Sequence, residues 1–135
     1  LSIVILTAPP AAAEWEPFSP DRVQLALERG RPVLINYRAD WCANCQMLEK
    51  MVLHTKETDA LLARTGVLGL QADWTHESPV VGRWIEKLGR SGIPAVALYL
   101  PGGKVDLLPE MVTAELVRER VERAAKAHPK KAFLT

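Results

Sequence analysis

Cysteine is scarce in this chain, with two among 135 residues, and that scarcity excludes more chemistry than it allows. A structural zinc site takes four Cys or His ligands in closely spaced pairs. His54, His76 and His128 lie far apart and supply no second pair, so no metal centre of that kind is expected. Charge of one sign is lacking too. The formal net charge is +1, which leaves no basic footprint for a nucleic acid. No apolar run approaches the roughly 20 residues that cross a bilayer. Repeats and low-complexity tracts are absent. With 48% hydrophobic and 24% charged residues, the composition suits one globular domain able to bury a real core.

The N-terminus stands apart. Leu1-Ser2-Ile3-Val4-Ile5-Leu6 is apolar but short, begins without Met and lacks the basic n-region of a signal peptide. Thr7-Ala8-Pro9-Pro10-Ala11-Ala12-Ala13 reads as a proline-stiffened linker. The stub has two readings: an expression remnant or edge strand, or the last turns of a transmembrane helix left on an excised domain. Residues 1–14 are therefore set apart as stub and linker, and residues 15–128 as the domain. Residues 129–135, with Lys130 and Lys131, form a basic solvated tail.

Helix boundaries are written in caps and stops. Ser19-Pro20 opens a first helix that Gly30 ends, and residues 33–37 form an apolar strand. Met47, Leu48, Met51 and Val52 recur at helical spacing, predicting an amphipathic helix with these residues on its apolar face. Residues 57–64 predict a short helix carrying Leu61 and Leu62, and residues 67–72 a second strand. Ser78-Pro79 opens another helix, with Val81, Ile85 and Leu88 inward and Gly89 at its end. Residues 95–100 form a third strand, which Pro101-Gly102-Gly103 turns back as an antiparallel hairpin over residues 104–108. Thr113 caps a last helix with Val117, Val121 and Ala124 inward, and Pro129 stops it. The expected class is α/β, with a mixed central sheet covered by helices on both faces.

Both cysteines fall in Trp41-Cys42-Ala43-Asn44-Cys45, between the first strand and the helix that follows it. Two thiols separated by two residues can close a disulfide across a first helical turn. The unpaired N–H groups and positive end of that helix favour a thiolate on the first cysteine, an arrangement suited to redox chemistry. Two other uses remain open on the residues alone. Two thiolates suit a two-coordinate Cu(I) site for copper delivery. A purely structural disulfide is the other, although so short a loop stabilises weakly.

Beyond the pair, the strand preceding it and Gly92-Ile93-Pro94 opening the third strand complete a pattern that resembles the thioredoxin fold over residues 15–127. The resemblance implies that Pro94 is cis and packs beside the disulfide. A narrower set is similar to the C-terminal domain of DsbD-type thiol–disulfide interchange proteins. It comprises Pro17-Phe18-Ser19-Pro20, Gly30-Arg31-Pro32-Val33, Ala39-Asp40-Trp41-Cys42, Ala72-Asp73-Trp74-Thr75 and Gly89-Arg90-x-Gly92-Ile93-Pro94. Such proteins are bacterial inner-membrane electron carriers whose C-terminal domain faces the periplasm. That likeness implies protein partners with disulfides: cysteine pairs of a membrane domain and of a periplasmic domain. It also implies a monomer joined to the membrane only through a parent chain, with no cofactor. A free-standing thioredoxin-like reductase is the alternative within the fold.

The resemblance implies Cys42 as nucleophile and Cys45 as the resolving thiol. Trp41 shields one side of the site or packs as a core tryptophan. Ile93 offers backbone groups to a partner strand beside Pro94. Asn36 occupies the position of the acid buried in thioredoxin, and an amide cannot take up a proton there. The lysine common after the second cysteine is Gln46, and the intervening dipeptide is Ala43-Asn44, so thioredoxin's potential does not transfer. Glu49, one turn past Cys45, is implied as proton acceptor and as a carboxylate that raises the cysteine pKa values. The plainer reading makes it an exposed helix glutamate. Asp40, His54 and His76 are expected at the surface, and Trp74 and Trp84 in the core, Trp74 with a possible place at the site.

Overall fold

The computed structural model describes residues 15–130. The stub and linker of residues 1–14, and residues 131–135 of the basic tail, lie outside the described residues. Lys130, expected in that tail, donates to the carbonyl of Ala63.

Five strands form one mixed sheet: β1 (Glu16–Pro17), β2 (Val33–Arg38), β3 (Leu68–Asp73), β4 (Ala95–Tyr99) and β5 (Val105–Leu107). Their spatial order is β1-β3-β2-β4-β5, with β1, β3 and β2 parallel and β4 and β5 antiparallel to their neighbours. Five α-helices connect them: α1 (Pro20–Glu28), α2 (Ala43–Leu48), α3 (Lys56–Thr65), α4 (Pro79–Lys87) and α5 (Ala114–Ala127). A π-helical segment, Glu49–Leu53, continues α2.

The caps at Ser19, Ser78 and Thr113 act where the sequence puts them, and Thr55 adds one that was not expected. Ser19, Thr55, Ser78 and Thr113 each accept a backbone N–H from three residues ahead with their side-chain oxygens. Gly30, Gly66 and Gly89 take the positive φ that a chain leaving a helix needs. β1 was not expected. It is two residues long and contains Pro17, which an edge strand tolerates because one side of it needs no ladder bond. Pairing to β3 comes through register and through the Phe18 N–H, which donates to Gln71 O.

Alternation along β2 and β3 builds two cores. Val33, Ile35 and Tyr37, with Leu68, Leu70 and Ala72, pack under α1 and α4. Leu34 packs on the other face with Val52, Leu53, Leu61, Leu62, Val117, Val121 and Ala124. The Tyr37 and Tyr99 hydroxyls bond each other inside the first core, and burial pushes both phenols up. Trp84, expected in the core, is half-buried on its edge against Phe18 and Tyr99. Among the described residues no helix is long and apolar enough to cross a membrane.

Gly69 on β3 lies beneath the indole of Trp15. A Cβ there would stand 3.0 Å from Trp15 Cε3 and 3.1 Å from Leu62 Cδ1. Alanine in a strand ordinarily gains from lower unfolded-state entropy, but overpacking the partly buried Trp15 and the buried Leu62 costs more. Gly69→Ala is therefore expected to destabilise by about 1–3 kcal/mol in urea unfolding; a gain in stability would show that Trp15 yields freely.

Candidate functional site

β2 ends at Arg38, and the chain reaches the cysteines through Ala39, Asp40 and Trp41. Cys42 is the N-cap of α2: its Sγ accepts the N–H of Cys45 at 3.1 Å. The two are joined as a disulfide with Cα atoms 5.2 Å apart. Cys42 keeps 8% exposure and Cys45 none, so the first sulfur is the reachable one, though less open than its helix-start position suggests. Ala39 and Ile93 pack against the pair. The Ile93-Pro94 bond is cis, as the resemblance implied.

A hydrogen-bonded loop holds the approach to Cys42. Asp40 N–H donates to Thr75 Oγ1, Trp41 Nε1 donates to Thr75 O, and Gln46 Nε2 donates to Asp40 O. Thr75 in turn donates to Asp73 Oδ1 through both its N–H and its hydroxyl. Trp41 is 57% exposed and tilts against Trp74, 6.1 Å between ring centres. It is therefore not a core tryptophan.

Beneath the disulfide lies a layer of polar side chains on the sheet face that carries Leu34. Asn36 is fully buried, and its Nδ2 donates to Glu49 Oε2 at 2.9 Å and to Gln71 Oε1 at 2.7 Å. Arg38 Nε donates to the same Glu49 oxygen at 2.7 Å, while its NH1 meets Asp40 at 2.8 Å and Asp73 at 3.5 Å. Asn36 and Gln71 are paired in register across β2 and β3, as are Arg38 and Asp73. Gln71 Nε2 reaches His54 Nε2 at 2.9 Å. Glu49 is thus bound into the interior, not paired with solvent. His54 keeps the exposed position expected of it, but with a partner.

Burial alone would lower the Arg38 pKa; the hydrogen bonds to Asp40 and Glu49 outweigh it and hold the guanidinium above its ordinary value. The hydroxyl of Thr75, with help from its N–H and from Arg38, holds Asp73 below the usual carboxylate range despite some burial. Among the described residues, buried Asn36 Oδ1 has no hydrogen-bond partner. With both Nδ2 hydrogens committed to two acceptors, turning the amide would face oxygen against oxygen, so the orphan stays an acceptor.

Residues 14–101 match a family model described as thioredoxin-like. The chain belongs to the thioredoxin-like family. Among curated relatives, the thiol:disulfide interchange protein DsbD 1 of Pseudomonas aeruginosa is 30% identical over 126 residues, covering 87% of this chain and 21% of that protein. DsbD of Yersinia enterocolitica is 32% identical over 82 residues, covering 60% of this chain and 14% of that protein. The chain therefore spans about a fifth or less of the length of these relatives. Among solved structures, the C-terminal domain of Neisseria meningitidis DsbD in its oxidised form matches with a TM-score of 0.62. Its sequence is 21% identical, covering 81% of this chain and 98% of that one. A thioredoxin from Thermus thermophilus matches with a TM-score of 0.61 at 18% identity, covering 89% and 90%. The expected fold and the expected kinship with DsbD both hold.

In this thioredoxin-like domain one helix face differs from expectation. Met47 and Met51 are 62% and 67% exposed instead of buried. Glu49 is drawn onto Asn36 and Arg38, and Cys45 is buried on the same flank, so the helix turns its methionine flank outward. That flank lines an open groove of about 1100 Å³, bounded also by Ile93, Pro94 and Met111. Sequence reasoning also missed Arg38, Gln71 and Thr75. For Arg38 and Gln71 the available signal was a pair of polar residues two apart at the end of each otherwise buried strand, Asn36 with Arg38 and Gln71 with Asp73, which must find partners.

Thr75→Val removes the hydroxyl bonds to Asp73 and Asp40. Asp73's lowered pKa contributes stability above about pH 4, and that contribution is lost as pH falls through the lowered value. The variant should lose about 1 kcal/mol at neutral pH. Its deficit against the wild type should shrink as pH falls below about 4 in thermal unfolding. An equal deficit at pH 7 and in acid would refute the assignment.

Proposed function

We propose that the chain is a dithiol–disulfide oxidoreductase that passes electrons through Cys42 and Cys45, as the C-terminal domain of a DsbD-like conduit. The observation that carries this reading is the Cys42–Cys45 disulfide at the start of α2, its outer sulfur already accepting a backbone N–H. An N–H aimed at sulfur favours the thiolate over the thiol. The active unit is residues 15–128, with residues 1–14 as stub and linker and the basic tail beyond. It works as a monomer in the bacterial periplasm, joined to the inner membrane through its parent chain. Its partners are protein disulfides, among them cysteine pairs of a membrane domain and of a periplasmic domain, as the kinship with DsbD suggests.

In the reducing direction, the Cys42 thiolate attacks one sulfur of the partner disulfide. That S–S bond breaks, a mixed disulfide forms, and the departing partner sulfur takes up a proton. Cys45 loses its proton and attacks the Cys42 sulfur, releasing the second partner thiol and restoring the Cys42–Cys45 disulfide. Two electrons pass to the partner, and no cofactor is required. Of the two protons its sulfurs take up, one balances the proton released by Cys45 and the other comes from solvent, because Cys42 starts as the thiolate. Asn36 cannot accept the Cys45 proton. Glu49 is the acceptor: its Oε2 takes the bonds from Asn36 and Arg38, and those bonds leave Oε1 unused. A partner segment lies extended in the methionine-lined groove and pairs with the backbone at Ile93, with Trp41 closing the opposite side. Methionine suits such a surface because its flexible thioether repacks around different side chains.

Three measurements test this. Equilibration against glutathione buffers, followed by thiol alkylation and mass analysis, should give a single two-electron transition. A pair that only binds Cu(I), with no reversible oxidation, would overturn the reading in favour of copper delivery. Cys45→Ala should accumulate a mixed disulfide through Cys42, whereas Cys42→Ser should trap nothing. Met51→Lys should raise KM for a protein disulfide about tenfold, equivalent to about 1.4 kcal/mol, with kcat little changed. An unchanged KM would remove the groove from the docking surface.

A further inference from the structure

We infer that Arg38 is a positioning residue for the redox pair, holding the Cys42 thiol acidic by neutralising Glu49 beneath it. The inference rests on Cys42 being the attacking thiol. Arg38 and Glu49 side chains are 14% and 13% exposed and stand 2.7 Å apart, so their charges act on each other with little screening. Glu49 lies one helical turn past Cys45, on the flank that faces the sheet. An unpaired carboxylate there would oppose a second negative charge on sulfur.

The neighbouring elements supply these other charges. From β2 and the turn after it come Arg38 and Asp40, and from β3 comes Asp73. Asp40 and Asp73 side chains are 70% and 54% exposed, so solvent damps their fields. Asn36 and Gln71 are neutral, and His54 is separated from Glu49 by both amides. Across the groove, Arg90 is spent on the carbonyl of Leu108, and Glu110 is exposed on the far rim. Among the described residues the little-exposed charges of this layer are therefore one cation and one anion, and their sum is zero. Asn36 matters to that sum because it adds no second carboxylate.

The same guanidinium reaches the loop that carries Cys42. Its NH1 holds Asp40 at 2.8 Å, two residues before the cysteine. Arg38 thereby joins the buried layer to the strand-to-helix turn. A lysine places its charge at one atom and cannot make both contacts, so it retains the charge effect but not the bracing.

The test is a thiolate titration of the reduced protein, read by ultraviolet absorbance with Cys45 replaced by Ala, in wild type, Arg38→Gln, Glu49→Gln and the double variant. Arg38→Gln should raise the Cys42 midpoint by about one pH unit, a tenfold loss of thiolate near neutrality. Glu49→Gln should lower the midpoint by a similar amount, and the double variant should return close to wild type. Arg38→Lys should recover most of the shift. Unchanged midpoints in Arg38→Gln, or a double variant whose midpoint stays as high as that of Arg38→Gln alone, would overturn the inference. Titration needs no partner protein, so failure of disulfide reductase activity with the predicted midpoints intact would sink the functional reading alone.

Discussion

Asn36 is a polar side chain with no access to water, and the need to satisfy it organises the site. Its amide draws Glu49 down from the helix and Gln71 across from β3, and Glu49 brings Arg38 with it. A buried donor left unpaired costs about 1–3 kcal/mol, comparable to burying a large aliphatic side chain. That cost decides which flank of the helix meets the sheet. Cys45 sits on the chosen flank and is sealed; Cys42, at the cap, keeps the contact with solvent that exchange chemistry needs.

The layer has a price in its remaining atom. Asn36 Oδ1 has no partner among the described residues, and the amide cannot turn without setting oxygen against oxygen. Around it the charges are arranged in depth. Arg38 and Glu49 are paired inside, while Asp40 and Asp73 face water on the outer side of the same guanidinium. Desolvated charges dominate the field at the sulfurs, and exposed ones mainly tie the loop in place. Thr75 completes that tie by binding Asp40, Asp73 and Trp41 together.

Much of this was legible. Ser19-Pro20, Ser78-Pro79 and Thr113 cap helices because their oxygens satisfy free N–H groups locally, within four residues. The apolar run of β2, the hairpin at Pro101-Gly102-Gly103 and the inward face of α5 are equally local in cause. Less legible was β1, whose two residues carry no periodicity and exist only because β3 offers an open edge. The methionines misled for a related reason. Helical spacing finds an apolar stripe, but it cannot say that a glutamate on the neighbouring flank has a better claim to the sheet.

The sequence by itself determined the redox pair, its place between strand and helix, the α/β order and the family likeness, since each depends on residues close together in the chain. Tertiary structure alone decided what Glu49 touches. It brought together Arg38, 11 residues earlier, and through Asn36 the amide of Gln71, 35 residues further on. Register between β2 and β3 set Asn36 beside Gln71 and Arg38 beside Asp73. Contacts between residues distant in the chain are fixed by how elements pack, and no local pattern encodes them.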